Sequence, residues 1–327
     1  MVVVVVAGGT GDLGRLIVDS LLERGQHEVY VFSRRIPEVA STRLSPISGK
    51  AYNPIIQTDY SSVEELVRHL TDRNVHTVIC TLAIDFESAS NAQIQLIRAA
   101  EKAASVKRFI PSEFNVDYDL GDDILPYPDK RLHAAARREL EKTNLEFAYI
   151  YPGMFMDYYG MPYIETHLRP LPGWFDEASN TVQITGDGNT YCVFSHTKDV
   201  ARYTALALEL DKWPRVLKII ASRLTENQLA AVLEKNLNRK LNIEYGSVEY
   251  IRSNRTTLLK PDDPIAAHFP GGAEQLSALM ADLGLSMALG AYDFARIEGL
   301  DLVKAFEGKT EPPLRIEQLM EMAWKGR

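Results

Sequence analysis

From its first residue the chain alternates short apolar runs with stretches whose apolar residues recur at helical spacing. The runs are Val2–Ala7, Val29–Ser33, Thr77–Leu82, Val106–Pro111 and Leu145–Tyr151, each read as a strand. Between them, Leu16, Ile17, Leu21 and Leu22 share one face of a first helix. Ile94, Leu96, Ile97 and Ala100 do the same near Ala89–Ala104. Strands that are apolar throughout, separated by amphipathic helices, are the signature of a parallel sheet covered on both faces. The expected fold class is α/β: a Rossmann-type doubly wound parallel sheet with a smaller, mainly C-terminal substrate domain.

Beyond Tyr151 the pattern changes. Pro152, Pro162, Pro170, Pro172 and several glycines interrupt every long periodic stretch up to about Ile184, which reads as a loop-rich cover. A helix over about Thr197–Leu210 and a strand over Val216–Ala221 are expected to return to the main sheet. Thr225 and Gln228 stand at capping-box spacing before a helix that should run to about Leu237. Turns near Pro261–Pro264 and Pro270–Gly272 punctuate a small helical annex. The expected division is a nucleotide-binding part over 1–155, rejoined by about 190–224, and a substrate lobe formed by 156–189 and 225–327.

The first strand-to-helix turn carries the most chemistry. Gly8, Gly9, Thr10, Gly11, Asp12, Leu13 and Gly14 satisfy both G-x-G-x-x-G and the wider G-x-x-G-x-x-G spacing, between an apolar strand and an amphipathic helix. Glycine allows the tight turn and lets backbone amides approach a pyrophosphate, while the helix start offers unpaired N–H groups and partial positive charge. An acidic residue at the end of the second strand would hold ribose hydroxyls; this chain has Ser33-Arg34-Arg35 instead. Paired guanidinium groups suit a 2′-phosphate, so Arg34 and Arg35 favour NADP(H) over NAD(H). Thr81 and Leu82 lie where the chain should pass the cofactor.

Charge and cysteine content narrow the class. A net charge of −8 without a basic stripe argues against general nucleic-acid affinity. No stretch reaches the roughly 18 to 20 apolar residues of a membrane-spanning helix, and Met1–Val6 lacks the basic leader of a signal peptide. Cys80 and Cys192 are far apart and without metal-ligand spacing, so reduced thiols, no metal and a cytoplasmic location are expected. The Tyr-x-x-x-Lys pair that many short-chain dehydrogenases use is missing; Tyr127 and Lys130 are three apart with Pro128 between them.

Lys107-Arg108-Phe109-Ile110-Pro111-Ser112-Glu113-Phe114, which runs through the Val106–Pro111 strand and past its end, together with the Gly-Gly-Thr-Gly turn, resembles the isoflavone reductase and phenylcoumaran benzylic ether reductase group. That group belongs to the NmrA-like, atypical short-chain dehydrogenase family. The resemblance covers roughly residues 1–165 well, and Tyr191–Tyr203 and Leu224–Leu233 more loosely. It implies that a lysine at the start of the next helix handles the proton beside the nicotinamide or orients the ribose hydroxyls of the cofactor, and Lys130, which keeps that residue type, is the preferred candidate. Counting back without a gap from Arg137-Arg138, which resemble the family's paired basic residues, places His133 there instead. Ser112 and Phe114 are placed in the substrate pocket, in a segment that the resemblance implies chiefly shapes the cofactor site. Met154, Phe155, Tyr158 and Tyr159 could line an apolar pocket beside the nicotinamide or could equally be core. The implied function is an NADPH-dependent reductase of a small conjugated or carbonyl-bearing molecule, aromatic or polyketide-like, in secondary metabolism. The alternative is a redox sensor of the same family that binds NADP(H) without turnover and acts through a protein partner.

Overall fold

The computed structural model describes residues 1–35, 42–84, 86–171, 174–254, 264–269 and 271–327. Its main sheet contains β1 (Val3–Ala7) and β2 (Glu28–Ser33); a small hairpin of β3 (Arg43–Leu44) and β4 (Ala51–Tyr52) lies beside it. The sheet continues with β5 (Ile55–Gln57), β6 (Thr77–Cys80), β7 (Arg108–Ile110) and β8 (Glu146–Phe147). The strand order is β5-β2-β1-β6-β7-β8 and every neighbouring pair is parallel. Such an order reverses between β1 and β6, which opens a crevice at the carboxyl ends of these two strands.

The run of valines in β1 follows from this placement. Val4 and Val6 point to one face and pack with Ile17, Val18 and Leu21 of α1 (Asp12–Arg24). Val5 and Ala7 point to the other, into a core shared with Leu66 and Leu70 of α2 (Val63–Asp72) and Leu96 and Ile97 of α3 (Glu87–Lys102). Because both faces are covered, every position of β1 from Val4 onward is fully buried. Each such valine stabilises the fold by about 1.5–3 kcal/mol relative to exposure. α4 (Lys130–Leu140) completes the second layer against α3, and α5 (Thr197–Leu206) packs beside α1 on the first.

The strand read at Leu145–Tyr151 is broken at Ala148: β8 ends there, and β9 (Tyr149–Tyr151) pairs in parallel with a later strand, Val216–Lys218. After β9 come β10 (Met154–Phe155), β11 (Phe175–Asp176), β12 (Thr181–Thr185), β13 (Tyr191–Ser195), β14 (Val216–Lys218), β15 (Ser222–Thr225), β16 (Asn242–Gly246) and β17 (Leu300–Asp301). The expected loop-rich cover thus holds short strands: β12 lies antiparallel to β11 and parallel to β16. β11 is too short and β16 too exposed to leave an apolar period in the sequence, and β12 offers only Val182 and Ile184. Asp157, fully buried, accepts bonds from the Thr197 N–H (3.0 Å), the Thr197 hydroxyl (2.6 Å) and the Thr166 hydroxyl (2.9 Å), tying the cover to the start of α5.

The capping box of Thr225 and Gln228 is present and starts α6 (Glu226–Leu237). α7 (Val248–Asn254), α8 (Gly272–Ala288), α9 (Leu302–Ala305) and α10 (Ile316–Trp324) follow. The expected turns at Pro261–Pro264 and Pro270–Gly272, and Pro172 in the cover, fall wholly or partly outside the described residues. Among the described residues no helix is long and apolar enough to cross a membrane. Cys80 and Cys192 are both buried, and burial pushes the Cys80 thiol up to about 12, so it is no ready nucleophile.

Candidate functional site

The glycine turn sits at the carboxyl end of β1, where the sheet reverses. Gly8 has φ 78°, and its N–H bonds the Phe32 carbonyl of β2 at 3.0 Å. Gly11 N–H closes the turn on the Gly8 carbonyl at 2.9 Å. A Cβ on Gly14 would stand 2.3 Å from that same carbonyl and 2.5 Å from Thr81 Oγ1, so only glycine lets the first turn of α1 lie this close to the strand ends. Thr81 locks the arrangement: its N–H and hydroxyl both bond the Ala7 carbonyl, at 2.8 and 2.9 Å. The amides of Asp12 and Leu13 begin α1, where the residues four back lie outside the helix, so they are available to an anion.

Gly8, Thr10, Gly11, Asp12 and Leu13 border a cavity of about 960 Å³ that also runs past Thr81, Leu82, Ala83 and Ile84. At its β2 end lie Ser33, Arg34 and Arg35. Both arginines are exposed, and neither makes an ion pair among the described residues. The Ser33 hydroxyl accepts the Arg35 N–H at 3.3 Å and lies 3.4 Å from the Thr10 hydroxyl, so the turn and the arginine pair meet at one serine. Gly9 and Gly14 do not line the cavity; they shape its wall from behind.

The other half of the cavity is built by the segment after β7. Glu113 is fully buried and takes a forked pair of bonds from Arg137 of α4: Nε to Oε1 at 3.0 Å and Oε2 at 2.8 Å, and Nη2 to Oε2 at 2.5 Å. Arg137, itself 2% exposed, also bonds Asp117 and the Tyr151 hydroxyl (2.8 Å), and its guanidinium lies 4.3 Å from the Tyr149 ring centre. Burial pushes the Glu113 carboxyl up, to about 7, against the pull of Arg137. This anchor fixes the direction of Ser112 and Phe114, which both border the cavity. The Ser112 hydroxyl donates to the Leu82 carbonyl at 2.7 Å, its N–H to Gln93 Oε1 at 2.7 Å, and its carbonyl meets His133 Nδ1 at 3.1 Å.

His133 lines the cavity, stacked on Tyr118 with ring centres 3.8 Å apart. With Nδ1–H given to the Ser112 carbonyl, Nε2 is left as a bare acceptor. Burial pushes this imidazole down to about 4, so it is neutral at neutral pH. Lys130, the preferred candidate from residue type, does not border the cavity. Its ammonium bonds the Leu120 carbonyl (2.6 Å), the Leu125 carbonyl (3.0 Å) and Asp122 Oδ1 (2.7 Å). Three donors meet three acceptors, and Lys130 closes the loop before α4 instead.

Of the four aromatic and Met positions read after β9, only Phe155 borders the cavity. Met154 is buried in the core below it, Tyr159 packs against Trp174 and Phe194, and Tyr158 packs on the same core. In their place the wall is made by Asn115, Tyr118, Leu125, Tyr127, Leu168 and Arg169, and by Leu279, Asp282, Leu283 and Ser286 of α8 with Tyr292 after it. Arg169 lies 4.0 Å from Asp12, so the cover reaches the start of α1. The signal that could have found the α8 wall is the apolar stripe Leu276, Leu279, Leu283, which is interrupted by the buried Asp282. Glu113 and Arg137 were marked in the sequence only as parts of the family-like segments; that they pair with each other in the core is visible only in the fold.

This parallel sheet, with a glycine turn at its reversal point and basic residues at the next strand end, defines a Rossmann-type dinucleotide-binding protein. The NmrA-like family model matches residues 2–261, and the chain belongs to the NmrA-like family. It is 33% identical over 284 residues to oxidoreductase BOA1 of Botryotinia fuckeliana (strain B05.10), covering 87% of each protein. It is 34% identical over 245 residues to the bifunctional pinoresinol-lariciresinol reductase of Linum perenne, covering 71% of this chain and 74% of that one. The fold is shared with the leucoanthocyanidin reductase from Vitis vinifera solved as a binary complex with NADPH, at TM-score 0.70, 20% identity and 98% coverage of both chains. With named oxidoreductases related to it over most of its length, the chain is an oxidoreductase.

Proposed function

We propose that the protein reduces a small aromatic or polyketide-like molecule bearing a carbonyl or conjugated double bond, with NADPH as hydride source. The observation that carries this reading is one continuous cavity, with an anion cradle and two exposed arginines at one end and an aromatic chamber around His133 at the other. The amides of Asp12 and Leu13 would hold the pyrophosphate, and Arg34 and Arg35 the 2′-phosphate. The names of its relatives, among them a pinoresinol-lariciresinol reductase, support an aromatic substrate. When bound, NADPH supplies the hydride; the protein supplies orientation and a chamber walled by apolar and phenolic side chains.

In this reading His133, not Lys130, meets the reacting oxygen. A neutral imidazole whose Nδ1–H is held by a backbone carbonyl has no proton to give; its Nε2 accepts a hydrogen bond from a substrate hydroxyl and orients it for hydride transfer, and the proton that completes the reduction comes from water. Steady-state NADPH oxidation over a panel of aromatic carbonyl and conjugated compounds tests the assignment. Lys130→Ala should keep kcat within about threefold while lowering stability, whereas His133→Ala should lower kcat by about a hundredfold or more. The opposite pattern would overturn it. A second reading, a sensor that binds NADP(H) without turnover, is favoured by the sequestration of Lys130. Tight NADPH binding with no oxidation across the whole panel, and a partner retained only in one redox state, would favour it.

A further inference from the structure

Tyr60, in the loop after β5, has a left-handed backbone with φ 64°. A bulky aromatic residue rarely adopts this conformation and keeps it only where the surroundings impose it. Here a junction of three chain segments imposes it. The phenol donates to the Phe32 carbonyl at 3.0 Å, the same carbonyl that accepts the Gly8 N–H at 3.0 Å. From behind, the Thr58 hydroxyl accepts the Tyr60 N–H at 3.2 Å, and the Thr58 N–H bonds the Ser33 carbonyl at 3.0 Å. Burial drives the phenol pKa up, so it remains a donor at any pH the fold tolerates.

Tyr60 is 2% exposed, yet it borders the cavity beside Ser33 and Arg34. Its hydroxyl therefore tethers the residue that precedes Ser33-Arg34-Arg35 to the turn that faces the pyrophosphate. A ligand with two anionic groups gains from both anchors only while their spacing matches its own, and preorganised spacing avoids the cost of ordering them on binding. We propose that Tyr60 is a positioning residue of the dinucleotide site: it fixes the spacing between the Gly8 turn and the Arg34–Arg35 pair and so sets the preference for the 2′-phosphorylated cofactor. The inference rests on the reading of the cavity as an NADPH site.

Calorimetric titration of the full chain with NADPH and with NADH tests it, using wild type, Tyr60→Phe and Tyr60→Asn. Tyr60→Phe keeps the ring and removes the tether; Tyr60→Asn removes both with a residue that tolerates the left-handed backbone. Each variant should lower the NADPH-to-NADH affinity ratio by about fivefold, the factor one neutral hydrogen bond carries. A merely structural role would weaken both cofactors alike and leave the ratio unmoved, and that result in either folded variant overturns the inference. A wild type that does not prefer NADPH refutes the underlying reading instead, which separates the two failures.

Discussion

Arg137→Ala tests the construction of the site more severely than any change on its surface. The substitution removes three bonds to the buried Glu113 carboxylate, the bond to Tyr151 and the contact over Tyr149. Breaking a buried pair by deleting one partner costs about 3–5 kcal/mol, because the remaining charge loses its compensation. At about 2.1 cal/mol/K of unfolding entropy per residue, a 327-residue chain loses about 6 °C in Tm for a change of about 4 kcal/mol. Glu113 already titrates at about 7 with Arg137 beside it, so its pKa rises further when the guanidinium is gone. A carboxyl whose folded pKa lies above its unfolded value stabilises the fold at low pH and loses that contribution as pH rises through the folded pKa. The deficit of Arg137→Ala against wild type should therefore be smaller at pH 5 than at pH 8. Urea unfolding at both pH values measures it. A loss below about 1 kcal/mol, or the same loss at both pH values, would refute the claim that this pair holds the Ser112–Phe114 segment by compensated buried charge.

Three further outcomes follow from the same geometry. Gly14→Ala places a methyl group 2.3 Å from the Gly8 carbonyl, so α1 must shift; a loss of about 1–3 kcal/mol and of most dinucleotide affinity is expected in thermal melts and titrations. His133 titrates near 4 when folded against 6.5 when free, so its contribution is complete above pH 6.5 and is lost as pH falls toward 4. Wild type should lose up to about 3 kcal/mol over that window relative to His133→Phe, and parallel stability curves would show that the ring is not held neutral. Lys130→Ala opens the loop at Leu120 and Leu125 and should speed limited proteolysis between residues 119 and 129, with unchanged NADPH affinity; a lost affinity would return Lys130 to the cofactor.

How far the sequence carried the account depended on whether the signal was local. β1, the glycine turn and α1 are adjacent in sequence, and their apolar pattern and residue types were enough to place them. Arg34 and Arg35 were legible for the same reason, since the end of β2 follows one helix later. β5 was missed because three residues with only Ile56 buried give no period, although it forms the sheet edge beyond β2. The substrate half was mostly illegible because its wall is assembled from segments more than 100 residues apart, such as Tyr127 and Leu283. Residue type pointed to Lys130, while its bonds to the carbonyls of Leu120 and Leu125 exist only in the folded chain. His133 was reachable by counting, and what distinguishes it is the Ser112 carbonyl that fixes its tautomer.

The central claim, that the cavity is an NADPH site with a hydride acceptor beside His133, is tested most directly by titrating the purified protein with NADPH and NADH. NADPH should bind at least about tenfold more tightly than NADH, and Arg34→Ala combined with Arg35→Ala should abolish this difference while leaving NADH affinity nearly unchanged. Equal affinity of wild type for the two cofactors, or equal losses for both in the double variant, would contradict it.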